Sequence, residues 1–136
     1  MAKNTGNGAT ITFGGSAVSA NITRITGTEL SRPSLDISDL ASTNNEEAIQ
    51  GDLTAWSEVE VEYVFDDEVG VPDITAAAAS VVITHPQGGL TTAANLTGTA
   101  FYTGTKYPDF ENNAVQMGSA KIKFDGQTGP TFTAGS

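Results

Sequence analysis

Apolar and polar residues alternate most regularly over residues 57–65. Val59, Val61, Tyr63 and Phe65 fall on one side, and Glu58, Glu60, Glu62 and Val64 on the other. This period of two marks a strand with one buried and one wetted face. The same pattern recurs along the chain. Ala9, Ile11 and Phe13 alternate with Thr10 and Thr12 to give a strand over 9–13, punctuated by Gly14 and Gly15. Residues 18–26 form a second strand, whose apolar phase runs through Val18, Ala20 and Ile22 and then slips to Ile25. That slip predicts a bulge near Arg24. Residues 30–37 read as a third strand, which Pro33 confines to an edge or a bulge.

Further strands follow at 81–84, 91–105 and 114–124. Leu96, Gly98, Ala100 and Tyr102 share one face of the long one, and Ala120, Ile122 and Phe124 oppose Lys121 and Lys123 on the last. Residues 131–133 add a short edge segment before a free end. The alanine-rich stretch 76–80 reads either as one or two turns of helix capped by Asp73 or as the lead-in to the strand at 81–84. These elements predict an all-β domain, a mainly antiparallel sandwich or barrel of about seven strands with room for one short helix. The single domain covers residues 1–136, with a polar N-terminal arm at 1–8 and a C-terminal extension at 126–136.

One stretch does not fit the alternation. Residues 38–55 connect two strands, and connections in compact domains usually run about 4–6 residues. The stretch has a polar tip of Ser, Thr, Asn and Glu, yet it also carries Leu40, Ile49 and Leu53 and leads into Trp56. Those apolar groups need a surface to cover them. Leu40, Ile49, Leu53 and Trp56 are therefore candidate contacts to a neighbouring subunit, the rival reading being a loop folded over its own core with Trp56 as a plug.

Composition narrows the function. The 136 residues hold 16 acidic and 6 basic side chains, a net charge of −10. Binding to nucleic acid through phosphates needs Lys and Arg, so that class is excluded, as is attachment to an anionic membrane. The balance suits a very soluble protein or one that repels a polyanion. There is no cysteine, which removes disulfides and thiolate metal sites. The first residues hold no apolar run of the kind a secretory signal has, and no stretch reaches membrane-spanning length, so a cytosolic, soluble chain is expected.

Chemistry is sparse. His85, the one histidine, precedes Pro86 in a turn and has no Ser in a nucleophile-elbow sequence to serve. Asp66, Asp67 and Glu68 lack the spaced ligands and central glycine of a calcium loop. Asn21 and Asn95 head glycosylation-type triplets, within strands and without a secretory signal. Glu58, Glu60 and Glu62 are either a solvated face, paired across strands with Lys121 and Lys123, or acids lining a channel. No enzyme, metal or cofactor is expected.

Taken together, four stretches resemble the siphophage major tail tube proteins. They are Ala2 to Phe13; Asp36 to Leu40 continuing through Gly51-Asp52-Leu53 into Glu58-Val59-Glu60-Val61; Thr84 to Gly89; and Gly118 to Phe132. The resemblance implies a β-sandwich subunit that forms rings, in that family of six, stacked into a hollow tube. It implies inner strands joined into a continuous barrel, a tape-measure protein and then DNA in the channel, and tail-tip and terminator proteins as partners. It places the chain in the virion tail, after assembly from the host cytoplasm. A decoration or cement protein that binds the capsid surface is the alternative, and would form discrete oligomers instead of filaments. A carbohydrate-binding sandwich would need an aromatic platform that the scattered aromatics do not supply.

Overall fold

The computed structural model describes residues 5–19, 21–38, 45–127 and 129–136. Twelve strands make up the order: β1 (Thr10–Phe13), β2 (Ser16–Ala17), β3 (Ile22–Thr26), β4 (Leu30–Ser31), β5 (Ser34–Asp36), β6 (Ala48–Gln50), β7 (Ala55–Trp56), β8 (Val59–Val64), β9 (Ala79–Thr84), β10 (Asn95–Lys106), β11 (Met117–Phe124) and β12 (Thr131–Thr133). The all-β expectation holds, and the described residues contain no helix.

Eight strands form one antiparallel sheet in the order β2-β1-β9-β10-β11-β8-β3, with β12 also on β10. The twelve-residue β10 is its axis. Along Asn95 to Ala100 one edge pairs with β9; along Ala100 to Lys106 the other edge pairs with β11. β12 continues the line of β11, placing Thr131 opposite Thr97 and Thr133 opposite Asn95. The sheet thus steps sideways along β10 and coils into two limbs. Their inner faces meet in a single core that includes Ile11, Val81 and Ile83 from one limb and Val59, Val61, Tyr63, Ala120 and Ile122 from the other. The alternation in the sequence had put Ile11, Val59, Val61, Tyr63, Ala120 and Ile122 on the apolar faces of their strands; for Val81 and Ile83 it had named the strand but not the face.

Small residues on β10 let the limbs close. A Cβ at Gly98 would lie 2.9 Å from Pro130 Cα and 3.0 Å from Phe124 Cδ1, so only glycine admits the returning chain. Gly118 likewise lies under the ring of Tyr63, whose Cε2 would be 2.9 Å from an added Cβ. Phe13 and Tyr102 pack with ring centres 4.4 Å apart and planes tilted by 35°, and join β1 to β10.

Several local expectations change. The bulge on β3 is present, with the register slipping between Ile22 and Arg24. The strand expected over 18–26 is shorter, and Ser16–Ala17 folds back on β1 instead. Pro33, which cannot donate to a ladder, lies in the gap that splits the strand expected at 30–37 into β4 and β5. The helical alternative for 76–80 is wrong. Asp73 does accept bonds from the Thr75 N–H and hydroxyl, but this closes one turn, and Ala79 already pairs with Ala100. The end of the chain is not free: Ser136 exchanges backbone hydrogen bonds with Thr92, and its carbonyl also accepts from Thr91.

Two predictions follow from the packing. Gly98→Ala should lose about 1–3 kcal/mol by overpacking, whereas Gly104→Ala, whose added methyl meets nothing closer than 3.9 Å, should be close to neutral. Urea unfolding of both variants checks the contrast. The second concerns alkali. Burial, reinforced by the phenol of Tyr63, pushes Tyr102 up to about 12. The unfolded chain therefore releases this proton first, and the stability this phenol contributes should be constant below about pH 10 and lost between roughly 10 and 12. In Tyr102→Phe that fall should be shallower, read from urea midpoints across the range.

Candidate assembly surface

Within the stretch expected as an irregular loop, residues 48–50 and 55 are strand and return along residues 30–36 as a two-stranded ribbon. At its base Leu30 pairs with Trp56 and Ser31 with Ala55. Further out Ser34 pairs with Gln50, Leu35 with Ile49 and Asp36 with Ala48. Between these ladders Arg32 and Pro33 face Gly51 to Thr54, so the returning strand bulges by two residues. Gly51 is required at that bulge: its N–H donates to the Pro33 carbonyl at 2.6 Å, and a Cβ there would strike the Pro33 ring. Beyond the ladder the Ile37 N–H donates to the Glu47 carbonyl, and the Ser38 N–H donates to Asp36 Oδ1 at 2.8 Å. That backbone bond, with a second from the Ser38 side chain, holds the Asp36 carboxyl below its ordinary value. Leu40, one of the expected contact residues, lies outside the described residues.

Directly opposed and alternate residues of a ribbon share a face. Leu35, Ile37 and Ile49 therefore stand on one face, and Ser34, Asp36, Ala48 and Gln50 on the other. Every residue of β5 and β6 is exposed, and this small sheet pairs with no strand of the large one. Leu53, in the bulge, is 79% exposed. The sequence brought Ile49 and Leu53 into view, but missed Leu35 and Ile37. Cross-strand pairing alone places them beside Ile49.

Trp56 differs from the other three. It is partly buried against the core, edge-on to Phe124 with ring centres 6.0 Å apart, and its carbonyl accepts a bond from Lys123 Nζ. It anchors the ribbon to its own subunit. It also helps to wall an open, mainly apolar cleft of about 630 Å³ with Ile25, Ile83, Leu96 and Phe132. His85 borders this cleft and stacks on Phe132 with ring centres 5.6 Å apart, a packing role. Among the described residues no group of three His, Cys, Asp or Glu could hold a metal ion.

Glu58, Glu60 and Glu62 lie on the side of β8 away from the core. Their surroundings are mixed in charge. Glu60 is opposite Lys121 on β11, and Glu62 is opposite Arg24 on β3. Glu58, Glu60 and Lys121 border a shallow recess. Lys123, the other expected partner, is held by Trp56 instead. Among the described residues the one ion pair within 4 Å is Lys106–Asp109.

Structural comparison identifies the architecture. One chain of the sheath/tube terminator of an extracellular contractile injection system, PVC, in the extended state, superposes with a TM-score of 0.71. It is 12% identical, and the match covers 98% of this chain and 99% of that one. The chain has the fold of a contractile-injection-system component. A chain of the anti-feeding prophage tube-terminating cap gives a TM-score of 0.65 at 16% identity, covering 89% of this chain and 88% of that one. A chain of the PVC sheath-tube complex gives 0.63 at 14%, covering 93% and 88%. Neither a protein-family model nor a curated protein matches the sequence.

The ribbon's residues should separate by substitution. Trp56→Ala should cost the isolated subunit about 2–4 kcal/mol, as for removal of a large core side chain. Leu53→Ser should stay within about 0.5 kcal/mol of the parent, as for most surface changes. Denaturant titration of the two variants checks this.

Proposed function

We propose that the chain is a structural, non-enzymatic subunit of a phage-tail-like tube, and specifically the major tube subunit whose stacked rings form a conduit for DNA. The observation that carries this reading is the uncovered amphipathic ribbon. A lone two-stranded hairpin is marginal in water, and each large apolar side chain left wet forgoes about 1.5–3 kcal/mol of burial. A ribbon that carries Leu35, Ile37 and Ile49 on one face is suited to a neighbour's surface. The shared fold with chains of contractile injection assemblies supports the same reading.

Strand edges support lateral assembly. β3 pairs only with β8, and one edge of β10 from Phe101 to Lys106 has no strand partner among the described residues. Exposed edges are liabilities in a monomer, and a closed ring of six would consume them. In such a ring the outward face of β8 is assigned to the channel. There Glu58, Glu60 and Glu62, interleaved with Arg24 and Lys121, present phosphate with no continuous positive track. Tape-measure, terminator and tail-tip proteins are the partners this role requires.

Replacing residues 41–50 by a short Gly-Ser linker tests the reading. The core strands do not include this segment, so the variant should fold, with unchanged thermal unfolding of the main sheet. It should form no tubes in negative-stain electron microscopy under conditions where the parent does. Tubes of normal length from the shortened chain, or parent protein found only as discrete spikes on capsids, would overturn the assignment.

A further inference from the structure

The strands that carry the ribbon end, away from it, in a second exposed surface. Ile22 and Val64 lie at that far end, beside Met117 at the start of β11 and Lys106 at the end of β10. Two loops, 65–78 and 107–116, leave it side by side. The Phe65 N–H donates to the Gln116 carbonyl at 2.9 Å, and the Phe65 and Tyr107 rings meet edge-on at 6.2 Å between centres. In the first loop the Asp66 carbonyl accepts from the Val69 and Gly70 N–H groups, and Asp66 Oδ1 accepts from the Glu68 N–H, which closes a turn. Val69 on that turn is 77% exposed and Phe110 on the other loop 81%, with Tyr107 and Val115 also exposed. The same loops hold Asp66, Asp67, Glu68, Asp73, Asp109 and Glu111, and the one cation at their edge is Lys106. Its ammonium is engaged by Asp109 at 3.2 Å.

We propose that this acidic, apolar surface binds an unlike partner protein through a segment that places lysine or arginine beside large apolar side chains. Two observations select that chemistry. Wet aromatic and branched side chains on adjacent loops, set on the fixed Phe65–Tyr107 base, supply apolar anchor points. The acids supply the sign of the partner. Asp67, Glu68 and Glu111 have no cation within 4 Å among the described residues, so the surface attracts a positive segment and turns away a negative one. A second copy, with a net charge of −10, is turned away. Its cations are also committed at home. Lys121 and Arg24 stand opposite Glu60 and Glu62, Lys123 donates to the Trp56 carbonyl, and Arg32 donates to Gln50. Lys121 and Lys123 flank Ile122, which is buried in the core. No described stretch of the chain therefore offers two cations around an exposed apolar group. The proposal does not depend on the tube reading, because it concerns a surface of the single subunit.

The test uses full-length protein, below the concentration at which light scattering detects assemblies, and labelled synthetic peptides read by fluorescence anisotropy. The probe is an amphipathic helical peptide of Leu and Lys; a Gly-Lys peptide of equal length and charge reports charge alone. Two far-end variants, Phe110→Ser with Val115→Ser and Asp109→Asn with Glu111→Gln, should each bind the Leu-Lys peptide about tenfold more weakly, as for loss of anchor contacts. A ribbon variant, Glu46→Gln with Glu47→Gln, removes the same charge elsewhere and should leave the affinity nearly unchanged. Thermal unfolding checks that each variant folds. Equal affinity for the Gly-Lys peptide, parent-like binding by either far-end variant, or an equal loss in the ribbon variant overturns the proposal. So does loss of self-association in the far-end variants, read by sedimentation, with peptide binding unchanged; that result assigns the surface to a second copy.

Discussion

The structure depends on one strand serving two limbs. β10 is paired on one edge in its first half and chiefly on the other in its second, so the sheet must turn about it. A turn of this kind brings the segment after β11 down onto the inner face of β10, and the space there is set by Gly98 and Ala100. Any larger side chain at 98 meets Pro130 and Phe124. The dense core on either side, Val59, Val61, Ile122 and Ala120 against Ile11 and Val81, exists because that crossing is tight. The same step leaves half of one β10 edge without a strand partner among the described residues. Closing the core and exposing an edge are two results of one geometry.

The ribbon follows a different logic. Its base is tied to the core by Trp56 and by the Lys123 bond to the Trp56 carbonyl. A Cβ at Gly27 would fall 2.2 Å from the Glu58 carbonyl oxygen, so the ribbon's entry and exit strands touch where they leave the sheet. Outside that clamp, among the described residues, the ladder itself and short local bonds, such as Ser38 to Asp36, hold the ribbon. Among the described residues, those of β5 and β6 are therefore held less firmly than the base at Trp56, as expected where apolar contacts are few and backbone hydrogen bonds face solvent.

The main sheet was legible in the sequence because its inner residues alternate without a break: Val59, Val61 and Tyr63; Leu96, Gly98, Ala100 and Tyr102; Ala120, Ile122 and Phe124. The slip at Ile25 also announced its bulge. The ribbon was not legible. Its strands are short, Pro33 interrupts one of them and the bulge at Gly51 to Thr54 interrupts the other, so no period survives long enough to register. The alanine run failed for the opposite reason. Alanine has high helix propensity, but pairing of Ala79 and Ser80 with β10 outweighs that local preference. For the candidate surface, sequence found the apolar residues on one side of the tip and could not find Leu35 and Ile37, since only pairing across the ribbon puts them on one face. The acids of β8 show the same limit. Spacing placed them on one face, but the cations opposite them come from β11 and β3 and depend on register.

Charge sets the remaining constraint on how such a subunit can associate. A net charge of −10 on 136 residues opposes close approach of two copies, most strongly at low salt where screening reaches furthest. Much of that charge lies at the two apolar ends, in Glu46, Glu47 and Asp52 of the ribbon and in Asp66, Asp67, Glu68, Asp109 and Glu111 opposite. If the chain stacks as proposed, an isolated pair of copies would gain one apolar contact against this repulsion. A ring would present several such contacts to the next ring at once, with apolar burial adding with each. Repulsion grows as well, but counterions moderate it over about 8 Å at physiological ionic strength. In the proposed tube that balance would favour association between preformed rings over pairing of single subunits.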